Sequence, residues 1–140
     1  MAIVKNFAAD PGPPPLQAHR EAIDRLFDKA SVEEIVAGLR ADANEWPQAQ
    51  LKVLARNSPT SMKITHRQIR ASVGMEFEPI MTMEYRISQG CMRGHDFFEG
   101  VRALIVEKDN APKWRPARLE DVTPAMVEAH FAPVANDLEF

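Results

Sequence analysis

The chain has 140 residues, 45% of them apolar, a formal net charge of −3 and one cysteine. That is the size of one domain with enough apolar material for a core. The charge carries no nucleic-acid or membrane signature, one cysteine excludes an internal disulfide framework, and no Cys/His spacing resembles a zinc site. No apolar run approaches ~18 residues, so no membrane-spanning helix is predicted. No signal-peptide apolar region stands at the N-terminus. The expectation is a cytoplasmic protein with no metal, no permanently bound cofactor, and no nucleic-acid or membrane partner.

Residues 1–15 end in Asp10-Pro11-Gly12-Pro13-Pro14-Pro15 and read as a linker. Proline lacks the N–H, and a proline run favours extended polyproline geometry. Ile3, Val4 and Phe7 form a short apolar remnant ahead of it. Residues 16–140 read as one helical domain. Leu16 to about Lys29 is amphipathic, with Leu16, Ile23, Leu26 and Phe27 on one face. Ser31-Val32-Glu33-Glu34 has the spacing of a capping box and starts a helix with Val32, Ile35, Val36 and Leu39 inward. Asn44 to Trp46 starts a third helix, with Pro47 tolerated in its first turn and Leu51, Leu54 and Ala55 as its apolar set. Ser58 caps a fourth, with Pro59 at the first helical position; Met62, Thr65, His66 and Ile69 are predicted to face inward.

Between Glu45 and Glu76 there is no acidic residue. Lys63, Arg67 and Arg70 fall at i, i+4 and i+7, so they form one basic face roughly at right angles to the apolar one. Three readings stand: a solvated face, a row paired with the acids of a partner core, and a phosphate contact. Nucleic acid is disfavoured because no aromatic residues interleave with the basic ones.

The central helix is predicted at about 79–93, restarted by Pro79. At 100° per residue Ile80, Met83, Ile87 and Cys91 make one stripe, and Met81, Tyr85, Ser88 and Met92 a second beside it. Thr82, Arg86, Gln89 and Arg93 are left outward. Apolar groups on two sides predict packing on two sides. Cys91 reads as a small hydrophobe rather than a nucleophile. Glu84, on the apolar stripe, reads as a half-buried carboxylate paired with a nearby arginine before an acid or base. Gly90 and Gly94 loosen the helix end. Asp96 and Glu99 then have capping-box spacing, which gives Asp96 a role without a His95–Asp96 dyad. His66 reads as a core or boundary histidine. The next helix is predicted to bury Phe97, Val101, Leu104 and Ile105. Pro112 and Pro116 hold a loop open, and Thr123-Pro124 starts a last helix to about Phe131. No segment shows a period of two. The fold class is all-α, about seven helices packed around the central one.

Met83-Glu84-Tyr85-Arg86-Ile87-Ser88-Gln89, Cys91-Met92-Arg93-Gly94-His95-Asp96-Phe97 and Glu99-Gly100-Val101-Arg102-Ala103 resemble the C-terminal part of the 3-hydroxyisobutyryl-CoA hydrolases, members of the crotonase (enoyl-CoA hydratase/isomerase) superfamily. Ser58-Pro59-Thr60-Ser61-Met62-Lys63-Ile64-Thr65 and Lys113-Trp114-Arg115-Pro116-Ala117 resemble the same family in the same order. The resemblance runs from about Leu16 to Phe140 and implies a C-terminal helical domain without the crotonase β core. It implies a parent enzyme that hydrolyses an acyl-CoA thioester in valine breakdown, with coenzyme A thioester as substrate. The family's oxyanion-hole and acidic catalytic residues precede this stretch, and no Gly-rich oxyanion loop occurs in residues 1–140. No catalytic residue is therefore assigned, and the chain alone is expected to be inactive.

The crotonase pattern of Glu-Gly, an aromatic residue and Glu-Lys near the nucleotide end of CoA is resembled by Glu99-Gly100 and Glu107-Lys108. The aromatic position is Leu104 or Ile105, and the interval is one residue longer. Lys108 and Lys113 are the candidate CoA contacts, as point charges for a phosphate. The other reading is that Lys108 only favours the negative end of its helix. The expected partner is the catalytic core, absent from this chain, with a homo-oligomer expected where its uncovered apolar face meets a second copy. A stand-alone helical interaction module and the same part of a hydratase or isomerase are the alternatives.

Overall fold

The computed structural model describes residues 8–10 and 12–140; the linker assigned to residues 1–15 lies largely outside them. Among the described residues are seven α-helices and no strand. A 3₁₀ turn, Pro15–His19, leads into α1 (Arg20–Phe27), α2 (Val32–Ala41), α3 (Glu45–Leu54), α4 (Pro59–Ala71), α5 (Phe77–Arg93), α6 (His95–Val101) and α7 (Pro124–Glu128). α6 continues as a π-helical stretch, Arg102–Val106, and a second 3₁₀ turn spans Leu119–Asp121.

The helix starts are where side chains can replace missing backbone partners. Ser31 Oγ accepts from the Glu34 N–H at 3.2 Å, Ser58 Oγ from the Ser61 N–H at 3.1 Å, and Thr123 Oγ1 from the Met126 N–H at 3.3 Å. Glu34 reaches back to the Ala30 N–H, 3.2 Å away, which closes the box one residue before the cap. Each such bond satisfies one N–H that the first helical turn leaves open.

Two apolar clusters make the core. Leu26, Ile35 and Leu39 join α1 and α2, with Leu51 and Leu54 of α3 packed against them. Trp46 closes that end, stacked on His19 at 4.7 Å and edge-on to Phe27 at 6.2 Å. The second cluster holds Ile64 of α4, Met83 and Ile87 of α5, Val122 and Val127, with Cys91 and Phe131 beside it. The first predicted stripe of α5 is thus the buried one. Burial pushes the Cys91 thiol above its ordinary pKa, as expected of a small hydrophobe.

Several predicted faces are corrected. Of the second stripe of α5, Ser88 and Met92 are exposed and Met81 and Tyr85 only half-buried. The side predicted outward is covered by the C-terminal tail: Arg86 grips Asp137 through two nitrogens, at 2.8 and 2.5 Å. α4 is turned relative to its predicted face. Ile64 is buried, while Thr65 and Ile69 face solvent. After α6 the buried residue is Ala103; Phe97, Leu104 and Ile105 are exposed. For Leu104 and Ile105 the π stretch explains the shift, because its Glu107 N–H bonds to the Arg102 carbonyl five residues back, at 2.8 Å, and changes the helical register; Phe97 lies before it.

Candidate functional site

α4 places its basic row against its own chain. Lys63 Nζ meets Glu33 at 2.6 Å and donates to the Val122 carbonyl at 2.8 Å. Arg67 pairs with Glu128, its guanidinium 4.0 Å above the Phe131 ring. Arg70 donates to Asp28 at 3.0 Å and to the Lys29 carbonyl at 2.5 Å. The long aliphatic stems of these side chains let a basic face pack inward while the heads find partners. Of the three readings of this row, pairing with acids holds, but the acids belong to this chain rather than to a missing core. His66 is half-buried beside it, with Nε2 3.0 Å from the Lys29 carbonyl. Glu84 is exposed and accepts from Gln68 at 2.7 Å, which corrects the half-buried, arginine-paired reading.

The N-terminus of α6 carries a second constellation. Gly94 is the N-cap residue and makes no side-chain cap, so the predicted Asp96–Glu99 box does not form. Asp96 instead ties three segments together. Its Oδ2 accepts from the buried Ser58 hydroxyl at 2.6 Å, and its Oδ1 from the Arg115 N–H at 2.8 Å. The same Oδ1 lies 3.0 Å from His95 Nδ1. The neighbouring pair does point together, but the Ser58 hydroxyl is held by the carboxylate rather than by the imidazole. The geometry therefore joins α4, α6 and the 113–116 loop and does not assemble a nucleophile with its base.

Glu99 also has a different task. It accepts from Arg102 at 2.9 and 2.7 Å and from the Lys113 N–H at 2.7 Å. Arg102 reaches on to Glu107 at 2.5 Å and Asp109 at 2.7 Å. The Arg102 guanidinium, followed by the Lys113 N–H, holds the Glu99 carboxyl down to about 2. Asp109 is likewise lowered, by Arg102 first and then by the Ala111 N–H. Arg102, facing three carboxylates, is raised, chiefly by its bond to Glu99. This network fixes the turn that carries the candidate contacts. Lys108 sits at φ 56° in that turn. Lys108 and Lys113 are both exposed and on one loop, and neither ammonium has a carboxylate partner among the described residues. Trp114 locks the far end of the loop: its indole N–H donates to the Arg56 carbonyl at 2.9 Å. A Cβ on Gly100 would meet the Trp114 ring at 3.4 Å, so glycine lets loop and helix approach. Arg102 could have been found from its i+3 spacing to Glu99. The Trp114–Arg56 bond has no local signal.

A groove of about 1050 Å³ runs along α4, with Ile23, Ile69, Val73, Phe97 and Leu104 among its apolar lining and Asp28, Arg70, Asp96 and Arg115 among its charged lining; Lys108 and Lys113 lie outside it. Among the described residues, no group of three His, Cys, Asp or Glu side chains could hold a metal, and no helix is long and apolar enough to cross a membrane.

The family model for enoyl-CoA hydratase/isomerase matches residues 1–131. The chain belongs to this family. Within it, the chain is 46% identical over 122 residues to 3-hydroxyisobutyryl-CoA hydrolase, mitochondrial, of Gallus gallus, a match covering 87% of this chain and 32% of that one. It is 49% identical over 117 residues to the Danio rerio protein of the same name, covering 84% and 31%. The Homo sapiens protein is 45% identical over 126 residues, covering 89% and 33%. The chain thus spans about a third of the length of the curated relatives it matches. Among solved structures, a carnitinyl-CoA dehydratase from Mycobacterium thermoresistibile aligns with TM-score 0.90 and 36% identity, over 99% of this chain and 40% of that one. An enoyl-CoA hydratase from Rhodobacter sphaeroides 2.4.1 aligns with TM-score 0.84 and 30% identity, over 99% and 43%. The resemblance to the C-terminal part of the hydrolases and the all-α fold therefore both stand.

Proposed function

We propose that these residues are the C-terminal helical domain of a 3-hydroxyisobutyryl-CoA hydrolase, packing on a catalytic core and helping to close its CoA site. The observation that carries the reading is a sustained identity of 45% over 89% of the chain to a hydrolase of which it covers only a third. The parent reaction is hydrolysis of an acyl-CoA thioester in valine catabolism. This chain's own contribution is the 107–116 loop, braced by Arg102, which presents Lys108 and Lys113 to a CoA phosphate. A cytoplasmic location remains part of the proposal, whereas the vertebrate relatives are named as mitochondrial proteins.

The purified chain should not turn over 3-hydroxyisobutyryl-CoA, because it brings no oxyanion hole, whose single donors are worth about 2.7–4 kcal/mol. Calorimetry with CoA should show at most weak binding that disappears in the Lys108→Ala, Lys113→Ala double variant. Micromolar binding that survives that variant would remove the two lysines from the site, and turnover by the purified chain would remove the domain reading. A second reading, the same part of a hydratase or isomerase, is favoured by the two solved structures; comparison of crotonyl-CoA and 3-hydroxyisobutyryl-CoA as substrates of the whole enzyme separates the two.

A further inference from the structure

α4 leaves apolar side chains outside its own core. Ile69 is 63% exposed and Val73 80%. Both line the groove along α4, together with Ile23, Phe97 and Leu104. Open apolar surface of this extent is uncommon on a soluble monomer. Two observations choose the occupant. Of the basic row that an anionic ligand would need, Lys63 and Arg67 lie outside the groove, paired with Glu33 and Glu128, and Arg70, which does line it, is paired with Asp28. Second, most of each hydrolase relative's length lies outside the match.

We infer that this groove is the docking face for the remainder of the family's fold, with an apolar element of the catalytic core seated on Ile69 and Val73. The inference rests on the domain reading above and adds to it the surface that does the packing. It also accounts for the turn of α4. The ion pairs of Lys63 and Arg67 hold that side of the helix on its own chain, which presents Ile69 and Val73 to the core.

The test is a thiol-protection experiment in a Cys91→Ala background. Val73→Cys probes the groove, and Val53→Cys, on an exposed residue of α3 outside it, is the control. Each is made in the 140-residue chain and in a chimera in which the chain replaces its matching segment of the human hydrolase. Alkylation of Val73→Cys should slow about tenfold or more in the chimera, while Val53→Cys reacts alike in both. Equal reactivity of Val73→Cys in a folded, active chimera overturns the groove assignment and leaves the domain reading standing. Protection in the isolated chain that comes with a dimer mass by sedimentation and is absent from the active chimera makes a second copy the occupant and also overturns it. A second chimera in the Mycobacterium thermoresistibile dehydratase guards against a host that cannot fold. Rejection of the chain by both hosts overturns the domain reading and the groove with it.

Discussion

Leu39 on α2 and Ile69 on α4 both belong to a predicted apolar stripe, yet one is fully buried and the other is 63% exposed. The difference lies in where the partner comes from. α1, α2 and α3 are joined by short turns, and their apolar faces meet one another within about 35 residues of chain. α4 meets the chain with its other side. Its ion pairs reach back to Asp28 and Glu33 and forward to Glu128, and Ile64 is its buried apolar anchor. An amphipathic stripe says that a face wants cover; it does not say that the same chain supplies it.

The comparison breaks most sharply by truncating one residue on each side. Leu39→Ala should cost about 2–5 kcal/mol, because it deletes buried methyl groups and leaves a cavity. Ile69→Ala should fall within about 0.5 kcal/mol of wild type, because its side chain already faces water. Urea unfolding followed by circular dichroism measures both. Comparable losses would mean that Ile69 is covered in solution, and that α4 is not the open helix of the pair.

A smaller effect is expected at the junction of the two halves. Ser58 both caps α4 and donates to Asp96. Ser58→Ala removes the cap and leaves a largely buried carboxylate oxygen short of a donor, a loss of about 1–3 kcal/mol. Asp96→Asn should recover part of that loss in the double variant, since an amide tolerates the missing donor better than a carboxylate. A double-mutant cycle with no coupling would show that the short Ser58–Asp96 contact carries no weight in holding α6 to α4.

These particulars also mark what was legible in the sequence. The starts at Ser31, Ser58 and Thr123 were readable because a cap and its N–H lie three residues apart. The buried stripe of α5 was readable from its period. The face of α4 was not, because Lys63 and Arg67 carry enough aliphatic stem to pack inward and their partners lie far along the chain. Asp96 had an adequate local role as a cap, and the structure gives it to Ser58 and Arg115, 38 and 19 residues away. Lys108 and Lys113 were singled out by resemblance alone; the structure puts them on one loop, and its brace, Arg102, was in the motif without being assigned a task.

That brace gives the smallest and most local prediction, one that sharpens the contrast between an apolar core and a surface held by charge. Glu99 is held down to about 2 and Asp109 is also lowered, both chiefly by Arg102. A carboxylate whose folded pKa lies below its unfolded value stabilises the fold above the unfolded value and loses that contribution as pH falls through the folded one. For Glu99 the window runs from its ordinary 4.5 down to about 2. The network is at the surface, so salt should weaken it, and its loss should free the 107–116 loop before the core opens. Trp114 reports on that loop through its bond to Arg56. In a Trp46→Phe background, its fluorescence should change between pH 4.5 and about 2 at temperatures where circular dichroism shows α1–α5 intact. Arg102→Ala should lose the native loop signal already at pH 7 and flatten the acid response, with unfolding of the core shifted far less than by Leu39→Ala. An unchanged acid response in Arg102→Ala would mean that the carboxylates are held by the backbone donors of Lys113 and Ala111 alone, and that the loop keeps its shape without the guanidinium.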